Sequence, residues 1–337
     1  MTRLITDGAE MGDSLYWDFV SSTDVSVQLV STYGGSGIYV YQVAWGSYMY
    51  KNISPISECY WRCRYRGDPV TKNDGAETHL FHAISGGADI MNIEPNKSNQ
   101  LGFAVGGTIV ATASPVLTAG QWYLLECYYK MHDTSGSCVL KIDGIEYINY
   151  TGDTKPGAAS TFDRIQFSGA NSYMGAPYFR IDDLALNNTS GSIDNSWCGS
   201  ARIEKLAVNA NGDLNEWTPS AGNAWDCVKD IPPNGETDYI ASRISGQRDM
   251  FNLAAFTDTN KTVRRIWIDG RAEDYAAMAS KIKLGLKTSG SVFMGAEDTL
   301  PSVYKRVTSG EFLVVPTSGN AWTKTELDAL QVVVEAI

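Results

Sequence analysis

No stretch of this 337-residue chain is apolar for long enough to cross a bilayer as a helix, and its longest apolar runs are the length of a strand. The first residues, Met1 to Gly8, lack the apolar core of a signal peptide, which predicts a protein made and folded in a cytoplasm and released by lysis rather than secretion. Basic residues are in deficit, 27 Lys and Arg against 38 Asp and Glu, for a formal net charge of −11. That balance argues against nucleic acid as a partner, because phosphate binding needs clustered cations, and against an anionic membrane surface. Cysteine is scarce. Cys59, Cys63, Cys127, Cys138, Cys198 and Cys227 are too few to staple a chain this long, and no second Cys or His pair has zinc-ligand spacing. They are expected as small buried hydrophobes. No cofactor and no metal is expected.

Helical periodicity is nearly missing too. Only Thr323 to Leu330 suggests a helix, with Thr323 as N-cap and Glu326 completing a capping box. What the chain has instead is 32 Gly, 18 Tyr and 9 Trp, a composition suited to pleated surfaces and tight turns. Period-two alternation recurs. Cys59, Trp61, Cys63 and Tyr65 share one face of a strand, opposite Arg62, Arg64 and Arg66. Gln121 to Met131 and Ser137 to Asp143 repeat the pattern, and Asp143-Gly144 before Ile145 predicts a tight hairpin. Asp163 to Phe167 and Tyr178 to Leu186 read as further strands. After the polar stretch Asn187 to Asn195, so do Ser200 to Asn209, Thr262 to Asp269, Lys281 to Leu286 and Gln331 to Ile337, with a loop-rich Asn211 to Pro233 between them. The reading is all-β, with two domains, 1–190 and 196–337.

From Leu101 to Leu186 the order is Leu-Gly-Phe-Ala-Val-Gly-Gly, Ala-Gly-Gln-Trp-Tyr-Leu-Leu-Glu-Cys, Gly-Ser-Cys-Val-Leu-Lys-Ile-Asp-Gly and Phe-Arg-Ile-Asp-Asp-Leu. This resembles the concanavalin A-like, laminin-G-like jelly roll. Downstream, Trp197-Cys198-Gly199, Asn211-Gly212-Asp213, Trp217-Thr218-Pro219, Ile231-Pro232-Pro233, Thr237-Asp238-Tyr239 and Gly319-Asn320-Ala321-Trp322 follow in order. That series resembles the C-terminal region of phage and prophage virion proteins carrying such a jelly roll in front. The resemblance implies a jelly-roll sandwich, then a second, smaller β-sandwich.

Lectin-like folds also host glycoside hydrolases, which usually carry a Glu-x-Asp-x-Glu strand. None is present. Asp182 and Asp183 are adjacent, so a regular strand points them to opposite faces, one solvated and one tying down a loop. Calcium at loop ends would draw on Asp182, Asp183, Asp143 and Glu146, without a dense ligand loop. His79 and His82 are expected as one packed and one exposed ring, His132 as exposed in a turn, and Gly34 to Gly37 as a turn rather than a phosphate cradle. Trp45, Tyr48, Tyr50, Trp217 and Trp225 are the candidate recognition aromatics, since sugars and protein partners both use aromatic faces.

The expectation is therefore a non-enzymatic structural or decorating virion component of head, neck or tail. It would contact other virion proteins as a homo-oligomer, with a trimer favoured by the symmetry of particles. The alternative is a receptor-binding module of tail or fibre that recognises host-surface glycans.

Overall fold

The structure, a computed structural model, describes residues 3–21, 25–30, 38–44, 46–67, 79–96, 98–169, 178–258, 260–275 and 280–337. The chain divides into two compact units, Met1–Glu204 and Lys205–Ile337.

The first unit is a jelly-roll sandwich of two antiparallel sheets. One runs in spatial order through Ile145–Gly152, Gly136–Ile142, Tyr123–Lys130, Glu58–Gly67, Phe179–Asn188, Ile38–Val43 and Val25–Val30, with Arg3–Asp7 also paired to Phe179–Asn188. The other runs through Thr108–Thr112, Leu101–Val105, Ala88–Pro95, His79–Ser85, Phe162–Ser168, Tyr48–Ile56 and Phe19–Val20. Alternation places the inward sets as predicted. Cys59, Trp61 and Cys63 are fully buried, as are Leu125, Cys127 and Tyr129 opposite them. Trp61 stacks on Phe81 of the facing sheet at 4.2 Å, and Phe81 meets Phe167 edge-on at 5.7 Å. Offset and edge-on ring pairs of this kind add to the burial energy of the core. The predicted hairpin forms at Asp143 and Gly144, whose φ values of 52° and 82° are those a two-residue turn of this kind demands.

The unit boundary lies later than the Asn187–Asn195 stretch expected from sequence. Of the strand expected over Ser200–Asn209, only Val208 and Asn209 are extended, at the start of a strand of the second unit, and residues 196–204 instead run as an irregular strap bonded to the first sheet. Arg62, buried on that sheet, donates to the Gly199 carbonyl at 2.7 Å, and the Gly199 N–H donates to Glu126 at 3.0 Å. Asn187 donates to the Ser196 carbonyl at 2.7 Å, and the Ile203 N–H donates to Asp183 at 2.7 Å. Buried polar groups need such partners, so the strap belongs to the first unit despite the turn-forming residues before it.

The second unit is built on a five-stranded antiparallel sheet, ordered Val208–Asn215, Arg248–Leu253, Gln331–Ala336, Lys281–Thr288 and Ser291–Thr299. Two short ribbons, Thr218–Pro219 with Ile240–Ala241 and Asp269–Ala272 with Lys305–Thr308, accompany it. Phe251, Ile282, Leu284, Leu286 and Val334 of the sheet pack with Ile268, Val315, Trp322 and Leu327. The predicted capping box is present: Thr323 caps the Lys324–Asp328 helix and Glu326 bonds back to the Thr323 N–H. The Thr262–Asp269 strand is reduced to isolated bridges at Val263 and Ile266. The terminal strand Gln331–Ala336 lies inside its own sheet, paired on both edges.

Candidate functional site

Inward residues fix which side chains face away from the sandwich core. Phe81, Met49, Ile165 and Phe167 are buried inside, so their neighbours His82, Tyr48, Tyr50, Arg164, Gln166 and Ser168 lie on the outer face of the seven-stranded sheet. Directly paired residues share a face, and the register strings them into one row. Asn92 pairs with His82, His82 with Gln166, Gln166 with Tyr50, and Tyr50 with Phe19. Five strands thus contribute one residue each to a line with amide, imidazole and aromatic groups in sequence. Ser168 with Tyr48 and Arg164 with Asn52 flank it on either side.

At one end of the row the rings of Phe19, Tyr48 and Tyr50 are nearly parallel. Phe19 lies 5.1 Å from Tyr48 at 22° and 5.3 Å from Tyr50 at 10°. Phe19 is 39% exposed, and both tyrosines are half-buried. The Arg164 guanidinium lies 3.9 Å from the Tyr50 ring centre, and its Nε donates to Asn52 Oδ1 at 3.0 Å. Gln166 donates to the Ser168 hydroxyl at 2.8 Å. Behind the strand, Asp18 accepts from the Lys51 ammonium and from the Asn52 N–H, both at 2.8 Å. Partial burial pushes the Asp18 carboxyl up, yet Lys51 and Asn52 together hold it below the usual carboxylate range. Towards the other end of the row His82 and Asn92 are both buried, and His82 Nδ1 lies 2.8 Å from Asp89 Oδ1. An imidazole so anchored is fixed in ring orientation. Flat apolar rings beside fixed amide, guanidinium and hydroxyl groups can stack the C–H face of a small ring and bond its hydroxyls.

Of the aromatics expected to serve recognition, the structure brings Tyr48 and Tyr50 together on this face. Trp45, like the Gly34–Gly37 turn, lies outside the described residues. Trp217 and Trp225 belong to the second unit and pack against its core; Trp217 donates to the Gln247 carbonyl at 3.1 Å, and the Lys229 ammonium sits 4.9 Å from the Trp225 ring. Phe19, Asn52, Arg164 and Gln166 went unmarked in the sequence. Outward alternation over Asp163–Phe167 was the one signal available for Arg164 and Gln166.

Asp182 and Asp183 differ from expectation. Both are buried, because the strand is irregular there and Asp183 adopts a left-handed φ of 53°. Asp183 does tie down a loop, accepting from Ile203 and from Arg64 Nε at 3.0 Å, but Asp182 is not solvated and accepts from the Asp183 N–H at 2.7 Å. Burial, then the charges of Asp183, Glu10 and Asp7, push the Asp182 carboxyl well up. Asp143 accepts from the Leu124 N–H of the neighbouring strand and Glu146 from the Asn149 side chain, each at 2.8 Å. Among the described residues no three His, Cys, Asp or Glu side chains are grouped to hold a metal ion. His132 is exposed, and its Nδ1 accepts from the Thr134 and Ser135 N–H groups at 3.1 and 3.0 Å; the His79 side chain lies outside the described residues. All six cysteines are free and buried, and burial pushes the thiols of Cys59, Cys63, Cys127 and Cys198 up, Cys198 to about 11.

No protein-family model matches the chain, and no curated protein matches its sequence. Solved structures do show a partial likeness to it. The cellulose-induced protein Cip1 is 15% identical with a TM-score of 0.44, covering 58% of this chain and 100% of its own. An endo-β-1,4-glucuronan lyase from the fungus Trichoderma reesei is 16% identical with a TM-score of 0.45, covering 58% and 100%. A sialidase is 14% identical with a TM-score of 0.42, covering 56% of this chain and 18% of its own. At these identities the likeness is one of fold. The expectation of a chain without enzymatic activity is corrected only so far as lyases and a sialidase, with the alginate lyase Aly36B among them, are in this set; the likeness carries nothing about what this chain itself does. That expectation rested on a missing carboxylate pair, and sugar-cleaving enzymes are known that do without one.

Proposed function

We propose that the chain is a glycan-recognising module, binding carbohydrate on the outer face of its seven-stranded sheet. The observation that carries this reading is the accessible end of the row, Gln166, Tyr50 and Phe19, with Tyr48, Asn52, Arg164 and Ser168 alongside on the same face, while Asn92 and His82 are buried and support it from beside. Aromatic rings supply the stacking surface. Amide, guanidinium and hydroxyl groups on rigid strands supply direction, and strands hold such groups more closely than loops. Structures of similar fold that bear the names of glucuronan lyase, alginate lyase and sialidase are consistent with this use of the sandwich.

The carrier we propose is a bacteriophage particle, with the module on a tail or fibre as a homo-oligomer, on the strength of the ordered motifs from Trp197 to Trp322. Mass spectrometry of purified particles tests that placement: the chain found only free in the lysate contradicts it. For the binding reading, a glycan array probed with the full chain gives saturable binding that Tyr50→Ala weakens by at least tenfold, since truncating an aromatic anchor costs about 2 kcal/mol or more. The bound glycans are followed for cleavage in the same experiment, which makes the face an active site if turnover accompanies binding. An array on which nothing binds refutes the reading.

A further inference from the structure

Among the polar groups on the outer face, Arg164 is unlike the rest in how it is held. Its guanidinium lies 3.9 Å from the Tyr50 ring centre, and its Nε is engaged with Asn52 Oδ1 at 3.0 Å. Asn52 is itself fixed, since its N–H donates to Asp18 at 2.8 Å. Asp18 takes the charge of Lys51, not of Arg164. Among the described residues, no carboxylate forms an ion pair with Arg164, and neither terminal nitrogen has a hydrogen-bond acceptor. The group thus lies over the Tyr50 ring, its inner edge is held by one hydrogen bond, and no described residue bonds its outer fork, on a half-buried surface. Holding a long side chain in place beforehand removes the entropy cost that normally weakens binding by arginine. A planar fork with two parallel N–H donors matches a carboxylate.

We propose that Arg164 reads a carboxylate on the bound glycan, so that the ligand is a carboxylated sugar, uronate or sialic acid, whose ring lies on the neighbouring Tyr50, Phe19 and Tyr48. This deepens the glycan-recognition reading and rests on it. A neutral sugar leaves the fork unsatisfied. A carboxylate closes it with two charge-assisted bonds, worth roughly ten- to a hundredfold in affinity. Arg164→Lys keeps the charge but loses the fork and the ring stacking, and so falls short of the wild type.

The test is calorimetric titration of the full chain with uronate oligosaccharides, each matched with its carboxyl-reduced counterpart, and with sialylated oligosaccharides matched with their desialylated forms. The two sets tell the two carboxylate sources apart. Expected is binding of at least one acidic glycan, weakened at least tenfold by loss of its carboxylate, with that preference abolished in Arg164→Met and only partly kept in Arg164→Lys. Circular dichroism confirms that the variants are folded, and a fall in wild-type affinity with added salt gives a check that needs no variant. Equal binding of acidic and neutral partners, or a preference unchanged in Arg164→Met, overturns the carboxylate assignment and leaves glycan recognition standing. Binding of neither kind overturns both.

Discussion

Asp182 gives the sharpest stability prediction. Its carboxyl is 2% exposed, and it sits among the like charges of Asp183, Glu10 and Asp7 after paying the larger cost of burial, so its pKa in the folded chain is well above the ordinary value. A carboxyl whose folded pKa is raised holds its proton more tightly in the native state than in the unfolded one. Its contribution to stability is therefore complete below the unfolded pKa, about 3.9, and is lost as pH rises through the folded value. At neutral pH the fold bears that loss. Asp182→Asn keeps an oxygen to accept from the Asp183 N–H, now at 2.7 Å, and turns the other into a donor facing carboxylates. The expected gain at pH 7 is on the order of 1 to 3 kcal/mol, the range for a relieved buried polar group. In a unit of this size that is roughly 2–4 °C in Tm for each kcal/mol. Scanning calorimetry of the full chain at a series of pH values, following the first unit's transition, reads it directly. The wild-type and variant curves converge as pH falls towards the ordinary Asp value. A variant that melts below wild type at pH 7, or an offset that does not shrink in acid, refutes the argument.

Three further outcomes follow from the packing. A fragment ending at Ser190 loses the Gly199 and Ile203 partners of Arg62, Glu126 and Asp183, and is expected to be about 3–5 kcal/mol less stable in urea than one ending at Glu204; equal midpoints contradict the assignment of the strap. Gly136→Ala places a Cβ 1.8 Å from the buried Thr154 hydroxyl, which is bonded to the Lys130 carbonyl at 2.6 Å, so a loss of about 1–3 kcal/mol is expected by thermal melting. Thr323→Ala removes one half of the capping box and should lower the second unit's stability by about 1 kcal/mol, with Thr323→Asp restoring most of it.

Much of the fold was legible because its signals are local. The alternation in Glu58–Gly67, the Asp143-Gly144 turn and the Thr323/Glu326 box each sit within a few residues, and each is found where those residues place it. The proposed recognition face was legible only at Tyr48 and Tyr50. Phe19, His82, Asn92 and Gln166 meet them through register across five strands, in one case across more than a hundred residues of sequence, and no periodicity along one strand carries that information. Trp217 and Trp225 stand apart from that face: a large ring in a loop-rich stretch is as useful to a small core as to a ligand, and both are half-buried against the core of the second unit. The domain junction was misplaced because the turn-forming Asn187–Asn195 stretch precedes a strap whose value lies in backbone groups offered to buried Arg62, Glu126 and Asp183, which composition does not reveal. Asp182 and Asp183 escaped for the same kind of reason, since their burial depends on an irregular strand with Asp183 at a φ of 53°.

The central claim is that carbohydrate binds on the outer face of the seven-stranded sheet, and a crystal structure of the full chain soaked with its best-binding oligosaccharide tests it most directly. Expected is a sugar ring within about 4 Å of Tyr50 or Phe19, hydrogen-bonded to Gln166 or Arg164. A ligand ordered anywhere else on the chain, with this face unoccupied, would contradict it.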